Sequence, residues 1–261
     1  MKYGGRLIHR VVDDYGAIEV VEAHGVRSLH FGSLARQSAM DLAAPDQIEL
    51  TYLRSMLTPL LFVPSPQHVL LLGVGGGTLA RFFLNHFSKA QIEAVELRAA
   101  VAEVAKAYFG LEVRPPLRLH VMDAHHYLER QVSLAREPFD LILVDVFDAE
   151  GPSSVLDEAG FFSRLSALLA SRGAMAVNLW SGEGSGWREV QAGVQAHFKG
   201  AFASLSVPGR GNRICLSLGE GYGPLNHKEL RAEAKSLERS LGVEFVRLCE
   251  RLMFAAPHSG G

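Results

Sequence analysis

The sequence predicts an α/β fold, a mostly parallel seven-stranded sheet preceded by a small β-rich arm. Three observations predict it. Strand-like apolar runs alternate with helical stretches from residue 68 onward. The first of these runs ends in a glycine cluster, Gly73-Val74-Gly75-Gly76-Gly77. Pro64 and Pro66 separate this region from a different pattern before it. Strands alternating with helices at this spacing form parallel βαβ units, with helices covering both sheet faces.

The elements follow in order. Ile18–Glu22 and Val26–Phe31 read as strands flanking a His24-Gly25 hairpin turn, with Asp13 to Gly16 as the turn before them. Apolar residues at helical spacing run from Ile48 to Phe62, and the proline pair ends that helix. Strands are then expected at 68–72, 91–95, 117–121, 139–144 and 173–178. Helices follow them at 78–86, 98–109, 124–132, 157–170 and 187–198. Segments 203–207 and 213–218 fit an antiparallel pair at the sheet edge, and a charged helix from 226 to 241 closes the chain. The division expected is an arm with its linking helix over 1–63, a Rossmann-like nucleoside-binding domain over 64–220, and a helical tail over 221–261.

Composition excludes several classes of function. The 261 residues are 48% hydrophobic and 21% charged, enough to bury a full core and incompatible with disorder. Twenty-six basic against 28 acidic side chains leave a net charge of −2, so there is no basic excess for nucleic acid. Two cysteines, Cys215 and Cys249, cannot build a disulfide framework or a cysteine-rich metal site. No signal core follows Met1 and no run of about 18 apolar residues exists, so the expectation is a cytoplasmic protein without a membrane partner.

Open α/β sheets bind ligands at the carboxyl ends of their strands, which directs attention to the residues standing there. After the first strand, Gly73, Gly75 and Gly77 let the chain turn tightly and let a ligand approach the backbone. A glycine turn without a ligand reads the same way. Thr78 occupies the place of the third glycine of a dinucleotide loop. Glu96 ends the second strand, where a carboxylate can accept both ribose hydroxyls. Asp123, with Ala124, follows the third, where it can accept from an exocyclic amine, cap a helix, or do both. Asp145 and Asp148 follow the fourth strand, where a carboxylate pair can hold a cation, orient an amine or act as general base. Glycine loop, Glu96, Asp123 and Asp145 are spaced like the binding elements of the class I S-adenosylmethionine-dependent methyltransferase fold.

The closer resemblance is to the spermidine synthase family, the polyamine aminopropyltransferases, and it extends from about Ile18 to Leu218. Leu29 to Ser38 resembles the family's leucine- and glycine-rich segment, with Gln37 at its cofactor-contacting glutamine. Gly73 to Thr78 with Arg81 resembles its glycine loop, Val95-Glu96-Leu97-Arg98 its V-E-x-D, and Met122-Asp123-Ala124 its adenine-side motif. Most specific is D-x-x-D-P-x-G-P, which reads here Asp145-Val146-Phe147-Asp148-Ala149-Glu150-Gly151-Pro152, keeping both aspartates and the Gly-Pro. The resemblance implies S-adenosylmethionine or its decarboxylated form as co-substrate and a small-molecule amine or other nucleophile as acceptor. It implies Asp145 as the proton-accepting residue, Asp148 as a holder of the amine, and a homodimer.

The chain departs from the family in three places. The helix before the boundary lacks the family's Y-H/Q-E: Leu53, Arg54 and Ser55 stand there. Tyr52 is one residue off, and one helical step turns a side chain by about 100°, so it does not simply replace the tyrosine. Gly76 replaces the loop's aspartate, and Arg98 replaces the second ribose-side acid. Tyr52 and Arg54 are still the candidates to face the acceptor, and Arg54 there would favour an anionic group. Methyl transfer and a non-catalytic nucleoside-binding module are the alternatives. His120, His125 and His126 match no common metal-ligand spacing, so no metal is expected.

Overall fold

The computed structural model describes residues 2–147, 153–182, 186–209 and 211–255. Its arm is a four-stranded antiparallel sheet in chain order, β1 (Arg6–Asp13), β2 (Gly16–Ala23), β3 (Val26–His30) and β4 (Ser38–Asp41). The expected hairpin is β2–β3. Ala23 pairs with Val26 across a two-residue loop in which His24 and Gly25 have φ of 51° and 78°, the left-handed pair that matches strand twist. Strands β1 and β4 were not expected. β1 is an edge strand with no buried residue, so it carries no clean apolar alternation, and β4 is four residues long.

The linking helix differs from expectation as well. Helix α1 covers only Thr51–Met56, and Thr58–Leu61 is a separate 3-10 turn. Pro59 lacks an N–H and disfavours helical backbone in the residue before it, so the break comes there rather than at Pro64.

The second sheet holds β5 (His68–Leu72), β6 (Gln91–Glu96), β7 (Leu117–Val121), β8 (Phe139–Val144), β9 (Leu169–Trp180), β10 (Phe202–Ser206), β11 (Asn212–Leu218) and β12 (Met253–Phe254). Its order is β12-β10-β11-β9-β8-β5-β6-β7. Strands β5 to β9 are mutually parallel, and β10, β11 and β12 are antiparallel additions. Among the described residues the count is eight strands, not seven, because Met253–Phe254 returns from the C-terminal segment to pair with β10. Two residues give no periodicity to read.

Helices α2 (Thr78–His86), α3 (Ala99–Phe109), α4 (Ala124–Ser133), α5 (Phe161–Leu168) and α6 (Trp187–His197) follow strands β5 to β9. The sheet buries both faces, as parallel sheets must. Leu71 belongs to one apolar cluster while Leu70 and Leu72 belong to the other. Helices α7 (His227–Leu241) and α8 (Phe245–Arg251) bury Leu230, Ala234, Leu237, Phe245 and Leu248 against the same cluster as Leu57 and Leu60. Among the described residues no helix is long and apolar enough to cross a membrane.

The arm is clasped to the second sheet. Ile18, Val20, Leu29, Phe31 and Met40 pack with Val101, Val104 and Phe109 of α3. Arg98 is 7% exposed and anchors this contact. Its guanidinium donates to both carboxylate oxygens of Asp13 at 2.7 and 3.0 Å and to the Gly16 carbonyl at 2.9 Å, and lies 4.6 Å from the Phe31 ring centre.

Candidate active site

After β5 the chain fills β6 and β7 on one side, then crosses to place β8 on the other. The carboxyl ends of β5 and β8 are therefore neighbours, with Leu72 paired to Val144, and the crevice of such a sheet opens at that switch point. Gly73 follows β5 with φ of 89°. A Cβ there would fall 2.1 Å from the Asp145 carbonyl oxygen, so only glycine fits. Gly75 and Gly77 also have positive φ, and Gly77 caps α2.

Glu96 ends β6 and is 8% exposed. Its Oε2 accepts from the Val74 N–H at 3.1 Å and the Gly75 N–H at 3.4 Å, and its Oε1 from the Arg98 N–H at 3.0 Å. It braces the glycine loop from beneath, and burial raises its pKa above the usual carboxylate range. Asp123 caps α4, its Oδ1 accepting from the His126 N–H at 3.0 Å. Among the described residues Oδ2 has no protein hydrogen bond, so the cap leaves one oxygen for a ligand. Ala124 is the first residue of the helix.

Two side chains bond Asp145 directly, and two more residues stand behind them. Tyr52, on α1, approaches its Oδ2 with the hydroxyl at 3.3 Å and stands 3.2 Å from the Gln37 carbonyl. Asn178, on β9 and 2% exposed, donates from Nδ2 to Asp145 Oδ1 at 2.8 Å. Asn212, opening β11, donates to Asn178 Oδ1 at 3.0 Å. Burial pushes the Asp145 carboxyl from 3.8 up to about 6; the bonds from Asn178 and Tyr52 restrain the rise, and the charge of Glu96 adds to it.

Tyr52, Gln37, Asp145 and the glycine loop thus meet at the switch point. The 100° offset did not keep Tyr52 away from Asp145. Arg54 goes elsewhere. It lies two positions on, about 200° around the helix, and there pairs with Glu244 at 3.0 Å and donates to the Ile48 carbonyl at 2.6 Å. Its guanidinium is committed to the base of α8, so the expected selection of an anionic acceptor by Arg54 loses its basis. Arg98 is likewise part of the arm's clasp, with only its backbone N–H on Glu96. Asp148, Gly151 and Pro152 lie outside the described residues. Asn178 and Asn212 were missed by reading the sequence; the available signal was a polar residue at the end of β9's otherwise apolar run Gly173–Val177. Among the described residues no group of three or more His, Cys, Asp or Glu is placed to hold a metal ion.

The sheet order and the glycine loop define the methyltransferase-like α/β class. Comparison with known proteins places the chain within it. A family model described as "Spermine/spermidine synthase domain" matches residues 52–179. A polyamine aminopropyltransferase from Chromobacterium violaceum is 31% identical over 251 residues, 95% of this chain and 93% of that one. The chain belongs to the spermine/spermidine synthase family and is a transferase. Among solved structures, human methyltransferase-like protein 13 in complex with SAH aligns with a TM-score of 0.63 and 28% identity, covering 73% of this chain and 88% of that one. A spermidine synthase in complex with the transition-state analogue AdoDATO aligns with a TM-score of 0.65 at 17% identity, covering 92% and 84%.

Proposed function

We propose that this transferase moves an aminopropyl group from a decarboxylated S-adenosylmethionine-type donor to an amine acceptor, with Asp145 receiving the proton. One observation carries the proposal. Glu96, Asp123 and Asp145 stand at the carboxyl ends of β6, β7 and β8, on either side of the glycine loop that follows β5, and among the described residues none is ion-paired to a lysine or arginine. Such a crevice suits a cationic sulfonium and an ammonium.

The roles follow from the chemistry. Glu96 and Asp123 would hold the nucleoside's ribose and adenine, with the backbone of Gly73, Gly75 and Gly77 against it and Gln37 at the rim. A sulfonium leaves without acid help, because the C–S electron pair returns to sulfur as a neutral thioether. The acceptor is an ammonium at neutral pH and must lose a proton before its nitrogen can form the new N–C bond. Asp145, with a pKa near 6, is ionised at pH 7 yet more basic than an ordinary carboxylate, the compromise a general base needs. Asp148 is the candidate to hold a distal ammonium, and alignment of nitrogen, carbon and sulfur supplies much of the remaining acceleration.

Methyl transfer is the second reading. It is favoured by the 28% identity to a methyltransferase solved with SAH and by the loss of the family's acidic acceptor motif on α1. The deciding assay follows methylthioadenosine release from the decarboxylated donor with a panel of di- and polyamines. Release that depends on the amine and disappears in Asp145→Asn supports the proposal; SAH formation from intact S-adenosylmethionine alone replaces it with methyl transfer.

A further inference from the structure

Asn178 and Asn212 lie on adjacent antiparallel strands. Asn178 is in register with Ile214, so Asn212 is its diagonal neighbour on the same sheet face. Both amides are buried, at 2% and 8% exposure. A carboxamide accepts through its oxygen and donates through its nitrogen. Asn212 donates to Asn178 Oδ1, so the Asn178 NH2 is the end left to face Asp145. Turning the Asn178 amide over would set its NH2 against the NH2 of Asn212 and its carbonyl against a carboxylate oxygen. Both hydrogen bonds would be lost among buried groups, each at a substantial cost.

The two oxygens of Asp145 are therefore unequal. Oδ1 is held as an acceptor by Asn178 in either protonation state. Oδ2 faces the Tyr52 hydroxyl, a group that both donates and accepts. With Asp145 ionised, Tyr52 can donate to Oδ2; with Asp145 protonated, it can donate to the Gln37 carbonyl instead and accept from Oδ2. Among the described residues the titratable groups bearing on Asp145 are Tyr52 from α1 and Glu96 from β6, while β9 and β11 contribute the two amides.

We infer that Asn178, oriented by Asn212, is a positioning residue that confines the exchangeable proton of Asp145 to Oδ2, beside Tyr52. This rests on the reading of Asp145 as the proton acceptor. In the transfer step one proton of the ammonium goes to Oδ2 as the N–C bond forms, the C–S bond breaks and sulfur keeps the electron pair, so carboxylate, ammonium and sulfonium become carboxylic acid, alkylated ammonium and neutral thioether. The acceptor nitrogen must then approach from the Tyr52 side of the carboxylate.

The test is the titration of Asp145 in the intact protein, followed by carboxyl 13C NMR with aspartate labelling and assigned by the signal missing from Asp145→Asn. The pH profile of kcat/KM is measured alongside. Removing the donor in Asn178→Leu should raise the titration midpoint and the acid limb together by about one pH unit, a roughly tenfold rise in proton affinity. Asn212→Leu does not touch Asp145, yet it frees the Asn178 amide to turn and should move both in the same direction by a smaller amount. It carries the same prediction if Asn178→Leu does not fold. Unmoved midpoints in folded variants overturn the inference. A moved NMR midpoint together with full turnover by Asp145→Asn would instead leave the amide pair intact and remove the general-base reading.

Discussion

Replacing Asp145 by asparagine should abolish turnover and at the same time stabilise the fold, by an amount that depends on pH. Asparagine keeps an acceptor for Asn178 Nδ2 and has no charge to desolvate. The wild-type carboxyl is raised from 3.8 to about 6 in the folded protein. A raised carboxyl means that the folded state binds its proton more tightly than the unfolded chain. Its contribution to stability is thus fully favourable only below the unfolded value and is lost as pH climbs through 3.8 toward 6. From these two values the variant should exceed wild type by about 2 kcal/mol at pH 5 and by about 3 kcal/mol at pH 8. Titrating groups that do not act on Asp145 cancel in the difference. The assay is urea unfolding of both proteins at pH 5, 6, 7 and 8, with extrapolation to water. A gap that is independent of pH, or an asparagine variant less stable at pH 8, would refute the claim that Asp145 is held as an uncomfortable, basic carboxylate.

Two further substitutions test the frame around the site. Arg98→Ala removes a bidentate ion pair in which the arginine is 7% and Asp13 24% exposed, so it should cost about 3 kcal/mol by urea midpoint, with poor rescue by lysine, which cannot make the fork. Gly76→Asp, which would restore the acid the family carries in its glycine loop, should destabilise the protein instead and weaken nucleoside binding. Even a Cβ at that position falls 2.5 Å from Ser38 Oγ and 2.9 Å from Ser38 Cβ, so a melting temperature equal to wild type would count against the packing of β4 on the loop.

The core of the fold was legible because its signal is periodic. Val69–Leu72 and Leu141–Val144 are continuous apolar runs, as strands buried on both faces must be, and glycine and carboxylates mark their ends. What stayed hidden had no period or depended on tertiary contact. β1 is exposed and β12 is two residues long. The break at Pro59 was overrun by an apolar pattern that continues through the 3-10 turn. In the site, Gly73, Glu96 and Asp145 could be read because strand ends project into the crevice. The destinations of Tyr52 and Arg54 could not, since only packing decides which of two neighbouring helix positions faces β8 and which faces α8. Asn178 is a lone polar residue in the buried run 173–179 of β9, and its meaning depends on Asn212, 34 residues later and on the adjacent strand.

Calorimetric titration of the wild-type protein with decarboxylated S-adenosylmethionine, intact S-adenosylmethionine, methylthioadenosine and NAD tests the central claim most directly. The acids at the strand ends predict binding of the decarboxylated sulfonium and of methylthioadenosine, weaker binding of the intact form, whose extra carboxylate would be repelled by Asp145 with no arginine among the described residues paired to it, and none of NAD. Absence of binding by every sulfonium and thioether nucleoside would contradict it.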